Sequence, residues 1–384
     1  MSHTYTILGQ IMQLIPRFEF DKLVQETKTE HCSHGFSSWN HFGALLFGQL
    51  SSQDSLRPLV AGLTTNASRL YHLGMAPVSR STLAYANEHR THELFVRLFG
   101  LMLSKCQAIA PNHKHHFKHK VFSIDASLIP LCLDLFDWAK YRKAKGAAKL
   151  HVKLDHSGYI PQFAIITPGK AHEVRIARQF SFDPGDVVVF DRGYTDFGFY
   201  RTLVDKGVFF VTRMKSNADY TVVERRPCSN PLVSSDQIIR MDGFYSAQKY
   251  PGLLRRIRIQ DPETGEYICL LTNHLGWSTD TISKIYRDRW QIEIFFRTIK
   301  QNLKIKGFLG TSENALLSQL WVALIAYVLL SFLKFKSTFQ WSIQTLCAIL
   351  PMNLFAQRNL WNWLDDPYHK LSKKPLTQLT FSFG

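Results

Sequence analysis

From Trp39 to Leu63 apolar residues recur at helical spacing (Phe42, Leu45, Leu46, Leu50), and Ser51, Ser52 and Asp54 predict a break and a new start within that span. A second helical segment opens at Ser79 or Ser81, both good N-caps, and runs through Leu83, Leu94, Phe95, Leu98, Phe99 and Met102. Its first turns are polar and basic, with Arg80, Ser81, Thr82, Asn87 and Arg90. Residues 1–115 thus read as an all-α N-terminal domain. The run Asn112–Lys120 holds four histidines but no acidic or cysteine partner at metal-ligand spacing, and reads as a basic linker at a domain boundary.

From Val121 the period shortens to that of strands. Val121–Asp125 reads as a strand ending in a carboxylate. Lys149–Asp155 and Ile160–Thr167 form a hairpin about His156-Ser157-Gly158. A short helix over 171–180, the buried strand Val187–Phe190 running into Asp191, a helix from Phe197 to Lys206 and a strand at 208–212 follow. That order is the one of an RNase H-like sheet, whose first and fourth strands are neighbours. Asp125 and Asp191, 66 residues apart, are therefore expected at adjacent strand ends. Residues 214–279 carry further strand-like runs (Leu253–Gln260, Tyr267–Thr272) and read as a β-rich insertion between core parts 116–213 and 280–335. The apolar stretch Leu320–Leu333 is too short for a membrane span and suits a buried core helix. The C-terminal region, 336–384, is aromatic-rich and basic near Lys373-Lys374, without an interpretable motif.

The charge balance changes the picture. Among 384 residues, 46 Lys and Arg face 30 Asp and Glu, a formal charge of +16, which suits a protein lying along phosphates rather than a metabolic enzyme. The basic start of the second helical segment then admits two readings, a DNA groove reader or the solvated face of a plain bundle. A second basic strip runs through Lys140, Arg142, Lys143, Lys145, Lys149 and Lys153. With 45% apolar residues the chain is neither disordered nor low-complexity. Six cysteines without C-x-x-C spacing read as reduced thiols, and no secretory signal is evident at the start, so a soluble, cytoplasmic, nucleoid-associated protein is expected.

The segment from Thr281 to about Lys306 reads as one long helix. At 100° per residue Tyr286, Arg289, Glu293, Arg297, Lys300 and Lys304 fall within about 80° of one another. Ile285, Ile292, Phe296, Ile299 and Leu303 form the adjoining apolar stripe. One carboxylate thus stands in a row of cations, either as part of a solvated face with i,i+4 pairs or as a metal ligand flanked by phosphate-contacting groups.

The spacing Y-x2-R-x3-E-x6-K over Tyr286, Arg289, Glu293 and Lys300 resembles the signature of bacterial DDE transposases of the insertion-sequence-four family. Asp125-Ala-Ser and Asp191-Arg-Gly-Tyr194 resemble that family's two aspartate blocks, and the likeness spans residues 120–335. The resemblance implies an α/β fold: an RNase H-like catalytic core with a strand-rich insertion, preceded by an all-α N-terminal domain. It implies Asp125, Asp191 and Glu293 as catalytic, metal-binding residues, with Asp125 bridging two Mg²⁺ ions (Mn²⁺ substituting). Arg289 and Lys300 would grip phosphates, Tyr286 would contact the displaced strand, and Arg192, Arg297 and Lys304 are further DNA-binding candidates. Trp277, Tyr267 or Tyr250 would hold an unstacked base. The partners implied are double-stranded DNA, as terminal inverted repeats and target, and a second copy of the chain on paired ends. A joining-incompetent RNase H-fold nuclease and a non-catalytic DNA-binding derivative are the rival readings.

Overall fold

The computed structural model describes residues 5–30, 35–112, 119–131, 140–142, 145–228, 230–261, 264–303, 305 and 307–368. Ten strands form one mixed sheet: β1 (Val121–Leu131), β2 (Lys140–Arg142), β3 (Lys145–Asp155), β4 (Ile160–Pro168), β5 (Val187–Phe190), β6 (Phe209–Arg213), β7 (Tyr220–Arg226), β8 (Val233–Met241), β9 (Leu254–Gln260) and β10 (Tyr267–Thr272). Their order is β2-β3-β1-β5-β6-β10-β9-β8-β7, with β4 also on β3. β1, β5 and β6 are parallel neighbours, and β1, β3 and β4 form an antiparallel meander. This is the RNase H-like arrangement. The strands of 214–279 continue the same sheet, because β10 pairs antiparallel with β6.

Val187–Phe190 is buried on both faces, as a central parallel strand must be. Val188 and Phe190 pack with Phe199, Tyr200 and Leu203 of the Phe197–Asp205 helix. Val187 and Val189 face the other way, onto Ile282 and Ile285. A further core joins the helices of residues 7–107 to the Glu313–Lys336 helix and to segments beyond it, among them Leu346, Leu350 and Leu360. The Glu313–Lys336 helix is long and apolar enough to cross a membrane, but 89% of its apolar window is buried inside the protein. It is a core helix.

Three elements differ from the sequence reading. β1 does not stop at Asp125; it stays on β3 as far as Leu131 although its pairing with β5 ends at Ser123. The segment opening at Ser79 is two helices, Arg80–His89 and Glu93–Gln107. Asn314 Nδ2 takes the carbonyls of Asn87 and Arg90, which removes them from helical bonding. The Thr281–Lys306 segment is likewise broken into Thr279–Asp288, Trp290–Arg297 and a π turn, Thr298–Asn302. Around Arg289 the bonds Arg289 N→Tyr286 O and Ile292 N→Arg289 O span only three residues, so the turn tightens. After it, Leu303 N→Thr298 O spans five, so the turn widens. The stripe is buried, but shared between two cores: Ile285 lies against the sheet, while Ile292, Phe296, Ile299 and Leu303 lie against the helical core.

Candidate active site

The register of the parallel pair positions the two aspartates. Val121 pairs with Val187 and Ser123 with Val189, a constant offset of 66 residues. Asp125 and Asp191 continue that offset two residues further on, where β1 parts from β5, so both point to one face of the sheet. Asp191 caps the turn Arg192–Tyr194, and its Oδ1 accepts the Gly193 N–H at 2.7 Å. Asp125 Oδ1 accepts the Ala126 N–H at 2.8 Å.

Burial, then the charges of Asp191 and Glu173, push the Asp125 carboxyl up to about 7, against the pull of the Ala126 N–H and Arg289. Beneath them Tyr194 is fully buried, and its hydroxyl is raised well above 10 by burial and then by Asp125, Glu173 and Asp191.

Glu293 sits in the first turn of Trp290–Arg297, and its side chain is 34% exposed. Its Oε1 accepts from an Arg289 Nη at 2.9 Å. Asp125, Ser127, Glu293, Phe296, Arg297, Lys300 and Gln301 line one cavity of about 310 Å³. Glu293 thus shares a cavity with Asp125, which in turn shares a register with Asp191. Among the described residues no three His, Cys, Asp or Glu side chains stand close enough to form a metal-binding group as placed. The donors nevertheless suit a hard divalent cation: all are carboxylate oxygens, and Asp125 is held at a raised pKa by burial and then by like charges, the second of which such a cation would offset.

The remaining sequence candidates separate by environment. Arg297 is exposed at the cavity and Lys300 lines it. Arg192 is exposed beside Asp191. Lys304 lies outside the described residues. Arg289 is mostly buried, committed to Glu293, and lies 5.6 Å from the Tyr286 ring centroid; its Nε is buried without a hydrogen-bond partner. Tyr286 is half-buried against the sheet. Of the aromatic candidates, Tyr250 is only 3% exposed and so not open to a base. Trp277 is stacked on His274 at 3.8 Å, and Tyr267 is exposed under Arg258.

In the basic strip, Lys153 is not a surface cation. It is buried over the rings of Phe122 and Phe182, its Nζ donating to the Ser181 carbonyl at 2.6 Å. Lys149 pairs with Glu173 at 3.3 Å. Glu173 occupies the first turn of Glu173–Ala177. What the sequence reading missed is its approach to Asp191: a Cβ on Gly193 would lie 2.8 Å from Asp191 Oδ1 and 3.3 Å from Glu173 Oε2. Only the position of the helix after the hairpin hinted at it.

Residues 116–329 match the Transposase DDE domain family, and residues 3–76 match a domain family of unknown function, DUF4372. A protein of Sinorhizobium fredii named as a transposase is 34% identical over 253 residues, covering 65% of this chain and 69% of that protein. One of Geobacillus stearothermophilus, named as the transposase of insertion sequence element IS5377, is 28% identical over 68% of each chain. One of Synechocystis, named for element IS4SA, is 23% identical over 56% of this chain and 60% of its own. A solved synaptic complex of piggyBac transposase with hairpin DNA overlaps at a TM-score of 0.45 and 12% identity, across 96% of this chain and 83% of that one, too loosely to carry an inference. With a DDE domain over more than half its length and the two aspartates in register at the edge of an RNase H-like sheet, this chain belongs to the bacterial DDE transposases, enzymes that cleave DNA.

Proposed function

We propose that the chain moves an insertion sequence by cut-and-paste transposition, with Asp125, Asp191 and Glu293 as its catalytic acids. The observation that carries this reading is the shared 66-residue register of Asp125 and Asp191, with Glu293 on the same cavity as Asp125. Two Mg²⁺ ions, or Mn²⁺ in their place, would be held by these carboxylates. When bound they would supply an activated nucleophile and a stabilised leaving oxygen. Asp125 shares a cavity with Glu293 and feels the charge of Asp191, which supports it as the acid that would serve both ions.

Arg297 and Lys300 border the cavity and position the phosphate backbone without reading its sequence. Arg289 neutralises Glu293 and Asp125 until a cation arrives, and Tyr286 supports its guanidinium. Attack of water on the scissile phosphorus breaks the P–O3′ bond and frees a 3′-hydroxyl at the element's end. The same site then directs that hydroxyl against a second phosphodiester. The N-terminal helices recognise the terminal inverted repeats, with Arg80, Ser81 and Thr82 exposed at the start of Arg80–His89. Asn87 and Arg90 are turned inward, Asn87 onto His41 and Arg90 onto the Ser37 carbonyl, and take no part. One site per chain and two ends per element call for a homodimer, acting on the bacterial nucleoid in the cytoplasm.

The test is incubation with Mg²⁺ and a plasmid carrying the element's ends. Excised and joined products support this reading. Cuts without joining favour a nuclease, and binding without breakage favours a DNA-binding derivative.

A further inference from the structure

A second depression lies beside the turn that follows Asp191 and shares no lining residue with the Glu293 cavity. It has a volume of about 660 Å³, and Gly193 and Thr195, which follow Asp191 in sequence, form part of its wall. Its charged lining is Lys149, Lys170, Arg175 and Arg178 against Glu173 and Asp196. Lys149 pairs with Glu173 at 3.3 Å and Arg178 with Asp196 at 3.0 Å. Lys170 and Arg175 are exposed and have no ion-pair partner among the described residues. The groove therefore carries a surplus of two positive charges. Gly193 brings this wall close to the Asp191 carboxylate, for a Cβ at residue 193 would lie 2.8 Å from Asp191 Oδ1.

The site thus has two separate basic depressions, one holding Asp125 and Glu293 and bordered by Arg297 and Lys300, the other next to the Asp191 turn and bordered by Lys170 and Arg175. A DNA strand is long enough to span both when its scissile phosphate rests on the acids. We propose that the Lys170–Arg175 groove is a second DNA-backbone subsite, holding the phosphates on the side of the scissile step opposite to those held by Arg297 and Lys300. The inference rests on the catalytic reading above. None of its cations belongs to the Tyr286–Lys300 signature, and they come together only because β3, the β4–helix connection and the turn after β5 meet at Asp191. Two surplus charges match two phosphates, and the overall charge of +16 makes a polyanion the fitting occupant.

The test uses three duplexes from the element's end: one spanning the cleavage point and two ending at it, one from each side. Binding is read by fluorescence anisotropy without divalent ions across a salt series. The double variant Lys170→Gln, Arg175→Gln should bind the spanning duplex and one half-duplex at least fivefold more weakly. Its slope of log affinity against log salt should fall by about 2, the other half-duplex being unaffected. Arg297→Gln should weaken the opposite half. Lys170→Arg with Arg175→Lys should restore binding, and an unchanged melting temperature should accompany every variant. Unaltered binding of all three duplexes, or equal weakening of both halves, overturns the proposal. These readouts need no cleavage. The catalytic reading fails separately, if Glu293→Gln still cuts the plasmid.

Discussion

Asp125 carries the residue-scale consequence. Its carboxyl sits at about 7 in the fold, raised first by burial, against 3.8 for an ordinary aspartate. The folded state therefore holds a proton that the unfolded chain has released, so the stability of the metal-free protein falls as pH rises from about 4 to about 7 and is flat above. Asp125→Asn cannot ionise. In a chelator it should melt several degrees above the parent at pH 8, on the order of 2 kcal/mol, with the gap closing near pH 4. A gap independent of pH contradicts the assignment. Glu293→Gln should lower cleavage at least 1,000-fold, on the order of 4 kcal/mol of transition-state stabilisation, while DNA affinity holds within about threefold. Equal losses of both would make Glu293 structural. The neighbourhood of Asp125 and Asp191 was legible in the sequence because strand order brings their two strands together. The approach of Glu173 was not, because it arises from packing between β3, a five-residue helix and a turn, none of which leaves a periodic trace.

At the scale of elements, the uniform helix over Thr281–Lys306 was the reading that failed, although its buried stripe was correct. Periodicity sees which residues are apolar, but not that Ile285 and Ile292 belong to different cores. Joining two cores needs the tight turn at Arg289 and the wide turn after Arg297, and these separate the side chains that a straight helix would align. The π turn is anchored from both sides: Ser52 Oγ donates to the Asn302 carbonyl, and Gln344 Nε2 to Thr298 Oγ1. Just beyond it Gly307 is pressed on Asp54, where an added Cβ would come within 2.5 Å of Cβ and 2.7 Å of Cα. Backbone cannot retreat as a flexible side chain can. Gly307→Ala should therefore cost about 1–3 kcal/mol in denaturant unfolding. An unchanged midpoint would show that this junction yields.

Across the whole molecule, residues 7–10 and 354–360 meet to close one core. Ile7 N–H donates to the Ala356 carbonyl and Leu8 N–H to that of Leu354, while Gln10 bonds both Arg358 and Leu360. The region after Ser337, which carried no motif, is thus a structural partner of the N-terminal helices. Its importance was invisible in sequence because it lies in apolar contacts across more than 300 residues. A chain ended after Lys336 strips Leu346, Leu350, Leu354 and Leu360 from that core. It should aggregate on size-exclusion chromatography, and a monodisperse product with an unaltered melting temperature would refute the single core. The sheet order, by contrast, was readable from strand order alone for β1, β3, β4, β5 and β6. The short β2 and the continuation of the sheet through β10 to β7 were not.

The most direct measurement is the anomalous difference map of the protein bound to cleaved end DNA and soaked in Mn²⁺. The account predicts metal peaks within about 2.0–2.4 Å of carboxylate oxygens of Asp125, Asp191 and Glu293, beside the scissile phosphate and with Glu293 released from Arg289. Peaks elsewhere, or Glu293 still held by Arg289 while DNA is cut, would contradict it.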